Sequence, residues 1–139
     1  MPVLVDTGPL VAILSASDRF HDLCATTLRK LPAPLLTCWP VLAEAAWLLR
    51  KDQRAIEKLL LGSNGAFLAL PEISGAESAE IVAIMKRYSA LRPQLADATL
   101  VYLADREKIE TIFTLDRRDF AVYRSARRTR FRLVPEKLA

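Results

Sequence analysis

Four carboxylates stand where the surrounding residues are apolar. Asp6 closes the run VLVD, Glu44 sits inside VLAEAAWLL, Asp97 inside QLADATLVYLA, and Asp116 inside TLDRRDF, with Asp119 three residues further on. A carboxylate in an apolar setting is costly unless its charge is compensated, and several close together raise one another's pKa. Shared protons or a bound cation are the two remedies. An all-oxygen set without His or Cys suits a hard ion, Mg²⁺ or Mn²⁺. Such an ion polarises a phosphoryl group and acidifies a bound water, and a second ion about 3.5–4 Å away stabilises the leaving oxygen. Thr7 and Thr114 are accessory candidates, Thr7 to orient a metal-bound water or a phosphate oxygen and Thr114 to support Asp116. Each residue also has an ordinary reading. Glu44 fits the polar side of an amphipathic helix, Asp97 the favourable end of a helix macrodipole, Asp116 and Asp119 a turn cap, and the two threonines strand-end hydrogen bonds.

The elements that must position these acids alternate between two periods. Val3–Val5 reads as a short buried strand, and LVAIL after Pro9 as a helix with proline in its first turn. His21–Lys30 has helical spacing, Leu35–Cys38 is a second strand, and a helix runs from Pro40 through Lys51. Asp52 caps a further helix through Leu61 that Gly62 ends. Phe67–Leu70 is a third strand, and S-G-A-E from Ser74 is a capping box that starts a helix to about Tyr88. Beyond the Arg92–Pro93 break, Leu95–Lys108 is helical, Thr111–Leu115 is a fourth strand and Phe131–Val134 a last short one. Alternating strands and helices predict an α/β fold with a parallel sheet. In such a sheet every strand ends on one edge, where ligands gather. Asp6 and Asp116 then stand at two strand ends, with the helices of Glu44 and Asp97 starting nearby.

No linker or repeat divides the chain, so residues 1–139 are expected to form one domain. The longest apolar stretch, Leu35–Leu49, is interrupted by Glu44 and too short to span a bilayer. No Lys or Arg precedes the first apolar run, which does not read as a secretory signal. Cys24 and Cys38 have no zinc or CxxC spacing and read as reduced core thiols, consistent with a cytoplasmic protein. His21, the only histidine, reads as an ordinary residue at a helix start, and no G-x-S-x-G elbow exists to serve it. The net charge of +4 is concentrated at the end: the last 23 residues carry +6, including Arg117, Arg118, Arg127, Arg128 and Arg130. That density points to phosphate contacts, with a solubilising edge as the alternative. Aspartyl-phosphate phosphatases need a second Asp where Gly8 stands, and neither G-x-G-x-x-G nor a P-loop occurs.

The ordered series V-D-T-G-P-L-V-A-I-L, W-P-V-L-A-E-A-A-W-L-L, L-A-D-A-T-L-V-Y-L-A-D and T-L-D-R-R-D-F strongly resembles the PIN domain of the VapC toxin type, over nearly the whole chain. The resemblance implies a three-layer α/β/α fold around a parallel sheet of four to five strands. It implies a Mg²⁺- or Mn²⁺-dependent endoribonuclease, the toxin of a type II toxin–antitoxin pair. Its acids map onto Asp6, Glu44, Asp97 and Asp116, with Asp119 as a further contributor. It further implies a homodimer, and a small antitoxin that inhibits by placing a basic side chain or tail in the acidic site. Relatives of this type often carry an acid where this chain has Gln94. The alternatives are a PIN-like module that binds RNA or protein without cleaving, and a housekeeping RNA-processing nuclease.

Overall fold

The computed structural model describes residues 1–138; Ala139 lies outside it, as does that last position of the expected domain. Five strands form one parallel sheet in the order β3-β2-β1-β4-β5. They are β1 (Val3–Val5), β2 (Leu35–Leu36), β3 (Leu68–Ala69), β4 (Thr111–Phe113) and β5 (Arg132–Val134). The central strand β1 sets the register, with Leu4 opposite both Leu36 and Ile112. All three of its residues are buried, as a strand covered on both faces requires.

Helices make every connection between the first four strands. They are α1 (Thr7–Leu14), α2 (His21–Arg29), α3 (Trp39–Leu48), α4 (Gln53–Gly62), α5 (Ser78–Arg87) and α6 (Leu95–Glu107). From β1 the chain steps outward to β2 and β3, then returns past β1 to β4. Right-handed crossovers place the outward and returning connections on opposite faces. The core gathers on both sides of β1 and β4, where Leu4, Leu10, Leu100, Leu103, Ile112 and Phe113 are fully buried. The sequence-based expectation of a parallel α/β sheet flanked by helices is met.

Differences fall at element ends and have local causes. The third helix stops at Leu48, short of Lys51, because Asp52 must adopt extended backbone to accept the Ala55 amide and start α4. Gly62 is the last residue of α4, so the helix ends there as expected, with Ser63 as its C-cap. A Cβ there would stand 3.0 Å from the Phe67 ring, so the glycine serves close packing. The strands β2 and β3 are only two residues long, half the expected span. At the expected break, Arg92 takes a left-handed φ of 50°, and Pro93 keeps it out of the helical region. His21 does sit at a helix start, its Nδ1 2.7 Å from the Ala12 carbonyl oxygen. Both cysteines are buried and free, and burial pushes their thiols up to about 11 and about 12.

A polar cluster fixes the long helix α6 against the segment before α5, and an aromatic cluster packs elsewhere in the core. Glu77 closes the Ser74 capping box and accepts from Tyr102 and Arg106 of α6. Those bonds, Tyr102's first, hold its carboxyl down at about 2. At the far side, Tyr88, Phe120 and Tyr123 pack edge to face, with centroids 4.9 and 5.1 Å apart. Truncating the centre of the sheet tests this arrangement. Leu4→Ala should cost about 2–5 kcal/mol in a denaturant titration, with the whole chain losing stability in one transition.

Candidate active site

The strand order reverses at β1, so a crevice opens at the carboxyl ends of β1 and β4. The residue after β1 is Asp6, and Asp116 lies three residues past the end of β4. A cleft of about 370 Å³ at this place is lined by Asp6, Thr7, Gly8, Glu44, Leu48, Arg92, Gln94, Asp97, Asp116 and Asp119. The four acids singled out in the sequence, together with Asp119 and Thr7, thus meet in one cleft from four separate elements. A larger hollow of about 610 Å³ is mostly apolar, with Glu72 the only acid lining it among the described residues.

Each carboxylate is fixed by the local fold. Asp6 is the N-cap of α1, its Oδ1 accepting the Thr7 amide at 2.8 Å. Its Oδ2 accepts the Thr114 hydroxyl at 2.9 Å, and that hydroxyl accepts the Asp116 amide at 2.9 Å. Thr114 therefore supports Asp6 with its proton and Asp116 through the backbone, where the sequence pointed to Asp116 alone. Asp116 Oδ1 accepts the amides of Arg118 and Asp119 at 3.0 and 2.9 Å, a turn cap that leaves Oδ2 free. Asp97 is the third residue of α6 and accepts the Gln94 amide at 3.3 Å in a reciprocal capping box. Gln94 is thus the N-cap of that helix as well as part of the cleft wall. Glu44 projects from the second turn of α3, half-buried.

The electrostatics follow from this crowding. Burial pushes Asp6 from 3.8 up to about 6, with Glu44 and Asp116 adding repulsion against the bonds from Thr7 and Thr114. Burial also raises Asp97 to about 6, with Asp6, Asp116 and Asp119 adding to it. Thr7 Oγ1 is buried among these acids without a hydrogen-bond partner. A hard cation answers both facts, since its charge offsets the repulsion and its waters give the Thr7 hydroxyl a partner. Among the described residues, no three acids, His or Cys close into a ready-made cage. The donors line an open cleft, an arrangement that suits Mg²⁺, which keeps several of its waters.

The arginines divide between two places. Arg118 and Arg117 follow Asp116, but the Arg117 guanidinium turns back to the Pro135 carbonyl, leaving Arg118 as the exposed one. Arg127 lies with Met1, Lys108 and Glu110 around a separate hollow at the opposite edge, where the strands begin. Arg128 acts on Asp105 near the end of α6, also away from the cleft. Arg127, Arg128 and Arg130 therefore do not form a rim around the acids.

Two residues escaped the sequence reading. Arg92 lines the cleft and is exposed; only the adjacent Pro93 marked its loop. Tyr123 is fully buried with an unpartnered hydroxyl, and burial and the charges of Asp97, Asp119, Asp116 and Asp6 push its phenol up. No local pattern distinguished it from an ordinary core aromatic.

The fold and the acidic crevice together define a class. A PIN domain family model matches residues 3–125, and the chain belongs to the PIN domain family. Ribonuclease VapC26 of Mycobacterium tuberculosis is 30% identical over 135 residues, spanning 96% of this chain and 100% of the relative. The crystal structure of VapC20 from the same organism, a Sarcin-Ricin loop cleaving toxin, superposes with a TM-score of 0.74. That match covers 82% of this chain and 89% of the other at 18% identity, which establishes the shared fold.

The raised acids predict a pH response of the metal-free protein. Their folded pKa lies above the unfolded value, so between about pH 4 and 6 the folded state holds protons that the unfolded state has lost. Stability then falls as pH rises through that window and levels off above it. Asp97→Asn retains an acceptor for the Gln94 amide and removes one charge. In EDTA at pH 7.5 it should raise the melting midpoint by about 2–4 °C, and near pH 4 leave it unchanged.

Proposed function

We propose that this PIN domain is a divalent-metal-dependent endoribonuclease, the toxin of a toxin–antitoxin pair, whose working residues are Asp6, Glu44, Asp97 and Asp116. The observation that carries the reading is the convergence of these four acids in one crevice at the strand switch. The likeness to Ribonuclease VapC26 along the full length of both chains supports the activity and the toxin role.

In this mechanism Asp6, Asp97, Asp116 and Glu44 would hold Mg²⁺ or Mn²⁺, with Asp119 assisting. When bound, the ion would supply Lewis-acid polarisation of the phosphoryl group and a water of lowered pKa. Asp6 and Asp116 are held by backbone amides and Thr114, so they keep their orientation when RNA enters. Asp97 is fixed by the Gln94 amide at the start of α6, where the helix dipole favours negative charge. The Thr7 hydroxyl donates to a water or a phosphoryl oxygen, gaining the partner it lacks. Exposed Arg92 and Arg118 meet the flanking phosphates from the rim.

A protein partner has a surface to meet beside the cleft. Leu48 lines the cleft, and Trp47 and Leu48 on α3 and Leu60 and Leu61 on α4 are exposed, apolar surface that a small antitoxin or a second copy of the chain could cover. The reading places the protein in the cytoplasm, in keeping with its free cysteines. Among the described residues no helix is long and apolar enough to cross a membrane.

The decisive experiment incubates the protein with total RNA, with and without Mg²⁺, beside Asp97→Asn. Cleavage should need the ion and fall about 100-fold or more in the variant, by loss of a directly acting carboxylate. Equal cutting in EDTA would sink the metal mechanism, and a folded wild-type protein that cuts nothing would favour the binding-module alternative. Thr114→Val, which removes only the support of Asp6 and Asp116, should lower the rate about 10–100-fold. A wild-type rate would assign Thr114 to the fold alone.

A further inference from the structure

The segment R-S-A-R-R-T-R-F-R, from Arg124 to Arg132, carries five arginines and no acid. It lies almost wholly beyond residue 125, where the family match stops. Its backbone forms a tight turn. An antiparallel bridge joins Arg124 to Arg130, the Ser125 amide donates to the Thr129 carbonyl at 2.9 Å, and the Arg128 amide donates to the Ser125 carbonyl at 2.9 Å. The Ser125 and Thr129 hydroxyls meet at 2.9 Å across the turn.

The arginines of this turn are not equivalent. Arg124 spends its guanidinium on the carbonyls of Ala121, Val122 and Tyr123, and Arg132 lies 3.7 Å from Glu136. Arg127, Arg128 and Arg130 are exposed, and among the described residues none is in a salt bridge. Asp105 lies near Arg128, and Glu110 accepts from Thr129 at 3.4 Å, so two acids face three free arginines, with Lys108 and Arg87 close by. Arg128 holds a φ of 62°, a left-handed conformation that glycine takes freely and other residues take only at a cost. The turn therefore displays a charged side chain at a position better suited to glycine.

We propose that this turn is a second RNA-binding site, an anchor for phosphates distant from the bond being cut. Arginine forks fit phosphate oxygens in pairs, and the tip, Ala126 to Thr129, offers no aromatic or large apolar anchor of the kind protein interfaces favour. The 13 residues of α6 separate the two sites, with Asp97 at one end and Lys108 just past the other, a span of about 15–20 Å. Only an RNA long enough to follow the surface between the edges gains from both. This anchor rests on the ribonuclease reading for its purpose, but its binding can be measured without cleavage.

The test uses the full chain carrying Asp97→Asn, an RNA of about 30 nucleotides and one of about 6. In that background, Arg127→Ala with Arg128→Gly and Arg130→Ala should weaken binding of the longer RNA about tenfold and flatten its log K against log salt slope by about 2, near 0.7 for each lost phosphate contact. Arg128→Gly relieves the left-handed strain, so the melting midpoint should hold. Should the triple variant unfold, Arg127→Ala alone serves the same test with a slope change of about 0.7. With Asp97 restored and Mg²⁺ present, the ratio of kcat/KM for the longer over the shorter RNA should fall about tenfold. An unchanged slope overturns the proposal and makes these arginines a solubilising edge. Equal losses on both RNAs also overturn it, because the arginines would then act at the cleft. A parent protein that cuts neither RNA defeats the ribonuclease reading, while the salt slopes still decide the anchor.

Discussion

The carboxylate of Asp6 joins the two halves of the sheet where its order reverses. One oxygen takes the first amide of α1. The other takes the proton of Thr114, whose own oxygen is already occupied by the Asp116 amide. Thr114 thus gives its proton to Asp6 while accepting the Asp116 amide. These bonds favour a charged carboxylate, while burial and neighbouring acids favour a neutral one. The conflict is left standing in the metal-free chain, and any proton or cation that relieves it must use the lone pairs facing the cleft.

The rest of the architecture serves this point. A parallel sheet delivers strand ends to one edge, and its reversal at β1 leaves that edge uncovered between β1 and β4. Helix starts then complete the wall: Asp97 comes with the first turn of α6 and Glu44 with the second turn of α3. Capping explains why such acids are tolerated. Asp6, Asp97 and Asp116 each satisfy backbone amides that would otherwise lack partners at an element end. The ordinary and the chemical readings of these residues are therefore both true. The amides fix each side chain and leave its remaining oxygen capacity to the cleft.

Much of this is legible in the amino-acid sequence. Strand–helix alternation gave the sheet, and acids in apolar settings marked the cleft, because a buried charge departs from the period of its element. Element ends were less legible. Gly62 reads as a stop from its type alone and α4 does end on it, but its close packing on Phe67, five residues later, carries no mark in the local pattern. The placement of the arginines was not legible, because composition counts charge without direction. Arg117 turns into the fold and the 124–132 turn folds to the opposite edge, which only the strand register reveals. Thr114 was legible as a candidate but not in its role, since its bond to Asp6 spans 108 positions. Tyr123 and Arg92 carry no local mark at all.

Gly8 stands between these two strand ends, and its position decides more than a turn. A Cβ there would lie 3.3 Å from Leu115 Cδ1, the residue just before Asp116. The loops carrying Asp6 and Asp116 thus touch through a hydrogen atom and a leucine methyl. One added methyl group would press on the Leu115 side chain, which would have to give by a few tenths of an ångström directly beside Asp116, while the sheet beneath stays as it is.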